Sequence, residues 1–313
     1  MPTESRGVHK RGPVEVMAPQ APTTHQRPSR AIGFAGAARQ VFGSGFGPGF
    51  WLAVIWLLVV IFCALFADLL PLRDPLDPVI ANRLNGPFTT NLLGTDGLGR
   101  DIFSRLVHGS QVSVVIALSA VSIGMIVGGS LGVLAGYFQG HFERALMAVL
   151  DVILAFPWLV LLLALVAFIG QSLTALSIAI GLLWIPAYAR VARANTLSVV
   201  QQEYILAARA MGAGTLRILL REVVPNVILP VLAYGLVAMG LVIIVESALA
   251  FLGLSVEAPQ PTWGGMIAEG KRHLATATHI ALLPSIVMFL TVLSLNYVGD
   301  RLRSRFDVRE SNL

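Results

Sequence analysis

Charge and cysteine are both scarce in this sequence. Asp, Glu, Lys and Arg together make up 12% of the 313 residues, whereas hydrophobic residues make up 56%, and the mean hydropathy is +0.77. A soluble domain of this length has more charge, so the composition predicts a membrane protein. Cys63 is the single cysteine and lies in an apolar run, which excludes an intrachain disulfide and a zinc–thiolate cluster.

Positive charge is scattered along the chain rather than gathered on one face. The formal net charge is +5, but the Lys and Arg residues lie at the ends of apolar segments, where they indicate membrane topology. A nucleic-acid partner is therefore not expected. Residues 1–47 are rich in Pro, Ser, Thr, Gln, Gly and Arg and contain no apolar core of signal-peptide length. We predict a disordered cytoplasmic N-terminal tail there, which is not cleaved.

The apolar runs predict an all-α polytopic membrane protein with six transmembrane helices. A helix needs about 20 apolar residues to cross a bilayer. Lys and Arg are concentrated in the segments that lie inside if both termini are cytoplasmic, which favours this multi-pass orientation in the inner (plasma) membrane. The predicted spans are residues 50–67, 112–138, 147–169, 173–189, 226–251 and 278–298.

Small residues and prolines add detail to these spans. In the second span, glycines recur every four residues from Gly124 to Gly136, which predicts close packing against another helix. Pro157 and Pro186 are expected to kink their helices. Before the second span, apolar residues recur at helical spacing from Ile102 onward. We expect a short helix on the outer face there.

A polar, alanine-rich segment interrupts the apolar pattern at residues 203–226, EYILAARAMGAGTLRILLREVVPN. A helix is predicted from Glu203 to Met211, and Gly212 and Gly214 are placed to end it. Thr215 is a suitable cap for a second helix.

One face of this predicted helix is apolar but shallow. Small side chains allow a helix to sit closely in the groove of a partner protein. The alternative is a surface helix that only closes the bundle. The face consists of Ile205, Ala208 and Gly212, with Tyr204, Ala207 and Met211 alongside.

Four stretches of the sequence resemble ABC importer permeases. Residues 203–226 resemble their signature loop, which has the pattern Glu-Ala-Ala, three residues, Gly, and later Leu-Pro. Leu206 occupies the usual position of the acidic residue, and Glu203 lies almost one helical turn before it. The matching residues are Ala207 and Ala208 for the alanines, Gly212 for the glycine, and Val224-Pro225 for the Leu-Pro.

The other three stretches resemble the second permease of dipeptide, oligopeptide and nickel importers. They are NLLGTDGLGRDIFSRLVHGSQVS at 91–113, WIPAYARVARANTLSV at 184–199 and ALAFLGLSVEAPQPTWGGMI at 248–267. The resemblance implies a type I ABC importer permease fold for a transmembrane domain of residues 48–307. It also implies a coupling helix in a cytoplasmic loop at about 199–224 and a C-terminal tail at 308–313.

The resemblance also implies partners within the lipid bilayer and on both sides of it. They are a homologous second permease that completes a heterodimer, two cytoplasmic ABC ATPases that bind ATP and Mg, and an extracytoplasmic substrate-binding protein. The implied solute is a dipeptide or oligopeptide, with nickel chelates, glutathione or another small solute as alternatives. The implied ATPase contacts are Glu203, Ala207, Ala208, Arg209, Gly212 and Arg217, of which the two arginines could equally be solvated.

No catalytic arrangement is visible in the sequence. GAGTLR lacks the lysine of a phosphate-binding loop, and the spans contain no Ser/His pair, paired Asp or His-Glu-x-x-His motif. A non-catalytic subunit that binds no cofactor or metal is therefore predicted. The alternative of a different class, an ion-driven carrier, would need several ionisable sites within the membrane.

Two carboxylates lie in or beside the apolar runs. Glu246 is the single charge between Val223 and Val256. We expect it near the outer end of the fifth span, solvated or in contact with the partner permease, with a translocation-path contact as the alternative. Asp151 is expected to be an interface residue paired with Arg144 or Arg190, with a direct role in transport as the alternative.

Overall fold

The computed structural model describes residues 47–310, with side chains described to residue 305. The predicted N-terminal tail therefore lies outside the described residues except for Gly47, as do residues 311–313. Within residues 47–310 the chain is all-α, apart from an isolated bridge between Thr95 and Asp101. The α-helices are α1 (Pro48–Phe66), α2 (Ile102–Ile123), α3 (Gly129–Phe138), α4 (Gly140–Ala155), α5 (Trp158–Ile169), α6 (Leu173–Val200), α7 (Glu203–Ala210), α8 (Thr215–Ile218), α9 (Val224–Phe251), α10 (Trp263–Gly270) and α11 (His279–Glu310).

Two pairs of helices are joined by π-helical segments into long continuous helices. Gly124–Gly128 joins α2 to α3, and Leu219–Val223 joins α8 to α9. Each joined helix has 37 residues and is longer than the span predicted for it.

The starts of these long helices correct two predictions. The short outer helix predicted at Ile102 is instead the first turn of α2, because Asp101 caps α2 by accepting a hydrogen bond from Ser104 N at 2.9 Å. Helix α8 begins at Thr215 itself, with Gly214 at the N-cap position and no side-chain cap. The predicted capping role of Thr215 is therefore wrong.

Within residues 47–310, five helices are long and apolar enough to cross a membrane, and a bent pair supplies the sixth crossing. The pair is α4 and α5, which are bent by 86°. Pro157 lies between them and lacks an N–H, so the predicted kink is a full break. Pro186, in contrast, lies inside the continuous helix α6. The five helices are Pro48–Leu69, Ile102–Phe138, Leu173–Val200, Thr215–Phe251 and His279–Arg305.

The packing of α6 shows that α4 and α5 together make one crossing. The glycines from Gly124 to Gly136 meet residues Trp184 to Thr196 of α6 in the same order along both helices, so the two helices are parallel. Because the two helices are parallel, the chain between them has to cross back to the end of the bundle at which the first helix began. Helices α4 and α5 together make that crossing. The predicted six spans and the close packing of the glycines are thereby confirmed.

Replacing Gly132 with alanine should destabilise this helix contact. A Cβ at Gly132 would lie 2.3 Å from Ala189 O, whereas a Cβ at Gly129 would have no atom within 4 Å. Because alanine improves helix propensity at both sites, the difference between the two variants reports the clash. We expect Gly132→Ala to lower the free energy of unfolding by about 1–3 kcal/mol and Gly129→Ala not to lower it. Equal thermal midpoints in detergent would contradict the contact.

An ion cluster of three buried side chains and the partly exposed Glu269 joins the segment before α2 to α10. Arg100 Nε lies 2.7 Å from Asp96 Oδ2, and Arg100 Nη2 lies 2.9 Å from Glu269 Oε2. Arg105 is 1% exposed, and its guanidinium lies 3.3 Å from Asp96 Oδ2 and 3.1 Å from Glu269 Oε2. Each arginine thus contacts both carboxylates, and the charges of the cluster balance.

Candidate coupling site

Helix α7 is a short helix between two membrane-crossing helices. Its end has the hydrogen bonds of a Schellman motif, because Ala213 N donates to Ala208 O at 3.0 Å and Gly212 N donates to Arg209 O at 2.9 Å. Gly212 has φ +82°, a backbone conformation that glycine adopts without strain. The predicted helix is therefore confirmed to within one residue, with Gly212 directly after its C-cap.

The outward face of α7 differs from the predicted one. Ile205 is fully buried and Ala208 packs against the same core, so the face that contains them is turned toward the bundle. Ala208, predicted to contact an ATPase, is half-buried. At 100° per residue, the side opposite Ile205 presents Glu203, Ala207 and Ala210, all exposed. Around them lie Tyr204, Leu206 and Met211.

The two arginines of the predicted contact have different surroundings. The guanidinium carbon of Arg209 lies 5.3 Å from the centroid of the Tyr137 ring, which is a cation–π arrangement. Because Tyr137 is in the last turn of α3, this contact links α7 to the second span. Arg217 is exposed in α8. Sequence reasoning missed Tyr137, because an aromatic residue at the end of an apolar run gives no sign of its partner.

Asp151 pairs with Arg190, one of its two predicted partners. Arg190 Nη2 lies 2.5 Å from Asp151 Oδ1. Arg193 and Glu143 form a second ion pair between the same helices, α6 and α4. Both pairs join α4 to α6. The second pair was not predicted, since its members are 50 residues apart in the sequence.

Glu246 is enclosed within the chain near the end of α9. It is 1% exposed, and its Oε1 accepts a hydrogen bond from Ser255 Oγ at 2.5 Å. A Cβ on Gly264 would lie 3.0 Å from Oε2, so the carboxylate lies against the first turn of α10. This placement corrects the expectation of a solvated or partner-facing Glu246, because neither solvent nor a second permease reaches the carboxylate in this conformation. In this conformation the enclosed carboxylate of Glu246 is also not exposed to a translocation path.

Sequence reasoning also missed the ion cluster of Asp96, Arg100, Arg105 and Glu269. The feature of the sequence that could have indicated the cluster is the run of charged residues at 96–105, beside a glycine-rich turn. Its partner Glu269 is 164 residues from Arg105, so the sequence alone does not show the pairing. Since α7 precedes the helix Thr215–Phe251 and α10 follows it, the cluster and α7 lie at opposite ends of the bundle.

Two relatives of this chain are permease proteins of transport systems. It is 39% identical over 256 residues to the glutathione transport system permease protein GsiD of Pectobacterium atrosepticum, covering 82% of this chain and 85% of that protein. It is 38% identical over 268 residues to the di/tripeptide transport system permease protein DppC of Pseudomonas aeruginosa, covering 83% of this chain and 88% of that protein.

The fold and a family model agree with these relatives. A chain of the MetNI methionine ABC transporter in inward-facing conformations matches with a TM-score of 0.54 at 17% identity, covering 66% of this chain and 97% of that chain; this likeness shows the fold. Residues 128–312 match the family model for the binding-protein-dependent transport system inner membrane component. The chain therefore belongs to this family and is the permease component of an ABC importer.

Proposed function

We propose that this permease forms half of a translocation pathway for short peptides and is driven through α7 by ATPase subunits. The observation that supports this role is the outward surface of α7. It is built from Glu203, Ala207 and Ala210, all exposed, and is followed at once by the ordered Schellman turn. Because Ala207 and Ala210 are small, the helix can sit closely in a groove of a partner protein at these two residues.

Named contacts connect α7 to two of the spans. Arg209 lies over Tyr137 at the end of α3, and Ile205 is inserted in the core. On its other side, α7 leads through the Gly212 turn into the continuous helix Thr215–Phe251. A rigid movement of α7, produced when the ATPases close on ATP, would therefore move the second and fifth spans together.

The proposed assembly contains a homologous second permease, two ATPases and a substrate-binding protein. The two permeases form a heterodimer in the inner membrane, with both termini and α7 on the cytoplasmic side. ATP and Mg bind to the ATPases. Within the described part of this chain, no group of three or more His, Cys, Asp or Glu side chains is arranged to hold a metal ion.

Short peptides are the proposed solute class. The two relatives above are named for glutathione and for di- and tripeptides, and glutathione is itself a tripeptide. Nickel chelates and other small solutes remain the alternative. An ion-driven carrier is not favoured, because the carboxylate of Glu246 is enclosed and bonded to Ser255.

The purified permease alone is expected to hydrolyse no ATP. In proteoliposomes with its second permease, ATPases and binding protein, we expect ATP hydrolysis together with uptake of a radiolabelled dipeptide. Phosphate release and trapped radioactivity measure the two activities. Hydrolysis by this polypeptide alone would contradict its non-catalytic role, and uptake of a nickel chelate without any peptide uptake would contradict the solute class.

A further inference from the structure

The break between α4 and α5 lies near the middle of the apolar residues 147–169 that are predicted to make the third crossing. The residues around it, 153–158 and 161, line a cavity of about 410 Å³ together with Leu183 of α6. The neighbouring Trp184 packs at Gly124, which is near the middle of the apolar residues 112–138. Helix α5 has 12 residues and is about 18 Å long, whereas the bilayer core is about 30 Å thick.

Backbone groups are left unpaired on both sides of this break. Among the described residues, no hydrogen bond is accepted by the carbonyls of residues 154–156 and none is donated by the N–H groups of residues 158–160. In a continuous helix these groups would pair with one another. Pro157 lacks an N–H, and the first bond on the α5 side is from Leu161 N to Pro157 O at 3.1 Å.

Lipid cannot satisfy these backbone groups. Irregular backbone at membrane depth is tolerated only where it is buried in protein or lines a water-filled cavity. This chain does not bury the break, because Phe156 and Trp158 are 56% and 54% exposed. The cavity is also within the size range of ligand pockets, about 300–1,000 Å³.

We propose that the break between α4 and α5 is a contact site in the translocation pathway for the amide groups of the transported peptide. The free carbonyls of residues 154–156 would accept hydrogen bonds from peptide N–H groups, and the free N–H groups of residues 158–160 would donate to peptide carbonyls. This is the main-chain recognition that joins an extended peptide to a sheet edge. It recognises the backbone and not the side chains, and it rests on the proposed transport of peptides.

Thiol labelling of the assembled complex in nanodiscs tests this site. In a Cys63→Ala background, Phe156→Cys should react with a hydrophilic thiol reagent. Leu162→Cys is the matched control, because Leu162 is 1% exposed in the same helix α5 and should be unreactive. Trp158→Cys, on the other side of the break, repeats the measurement if Phe156→Cys does not assemble.

Protection by solute tests the amide contact. Dialanine at about ten times its Kd should slow the labelling of Phe156→Cys about tenfold. The amide-free analogue 5-aminopentanoate, which has the same two charged ends, should not slow it. If dialanine did not change the rate of labelling, the proposal would be overturned. The break would then be in contact with water but would not bind the peptide.

Two further outcomes separate this site from the proposed function. An unreactive Phe156→Cys that cross-links to the second permease would show that the partner covers the break, which also overturns the proposal. If the wild-type complex takes up no peptide, the proposed function fails and the site fails with it. Peptide uptake without protection of the thiol contradicts the site alone.

Discussion

Replacing Ala207 with tryptophan is expected to abolish coupled uptake while the six spans stay folded. Ala207 lies on the side of α7 opposite the buried Ile205, so a larger side chain there has no contact with the core of the bundle. At the centre of a close-fitting groove, however, an indole would cost about 3 kcal/mol of binding, which is about a hundredfold in affinity for the ATPase. Peptide uptake and co-purification of the ATPase measure the two consequences.

Ala145→Trp is the matched control for this variant. Ala145 is also an exposed helical alanine, but it lies in α4, outside the proposed ATPase contact. We expect Ala145→Trp to retain uptake and ATPase binding. If Ala207→Trp also retained both, α7 would not be the docking element, and a loss of both by Ala145→Trp as well would point to general misassembly.

Gly212 is a less informative place to test docking, although it matches the signature loop. A Cβ there would have open space around it, but the φ of +82° strains any residue other than glycine. A β-branched residue at Gly212 would therefore act by disturbing the Schellman end of α7. Loss of uptake in such a variant would not separate a lost contact from a lost turn.

The features that the sequence predicted are those set by local composition and spacing. Six crossings follow from the lengths of the apolar runs, and the glycines from Gly124 to Gly136 mark their contact with α6 because close backbone approach needs small residues. The end of α7 at Gly212 was also predictable, since a left-handed residue favours glycine.

The features that sequence reasoning missed depend on partners far away in the chain. The inward direction of Ile205 is set by a core to which the neighbouring helices contribute, so the helical period alone could not choose between the two faces of α7. The contact of Arg209 with Tyr137 joins elements on separate helices. Pro157 predicted a kink, but the sequence alone does not show that the kink becomes a break of 86°.

Removing Arg105 should give the largest loss of stability among the charged residues that the structure describes. Its guanidinium is buried with Arg100 between Asp96 and Glu269, and Arg105→Met leaves that site with an unbalanced negative charge. Breaking a buried ion pair by removing one partner costs about 3–5 kcal/mol. We expect a correspondingly lower thermal midpoint for the purified complex. Arg83→Met, at an exposed arginine in the segment before α2, should change stability by no more than about 0.5 kcal/mol.

A double variant identifies the cause of that loss. Arg105→Met combined with Glu269→Gln removes one charge of each sign and leaves Arg100 paired with Asp96 at 2.7 Å. If the unbalanced charge is the main cost, the double variant should be more stable than the sum of the two single losses, because residues in one ion network couple. Strictly additive losses would show that Arg105 acts through packing of its side chain between α2 and α10, and not through its charge.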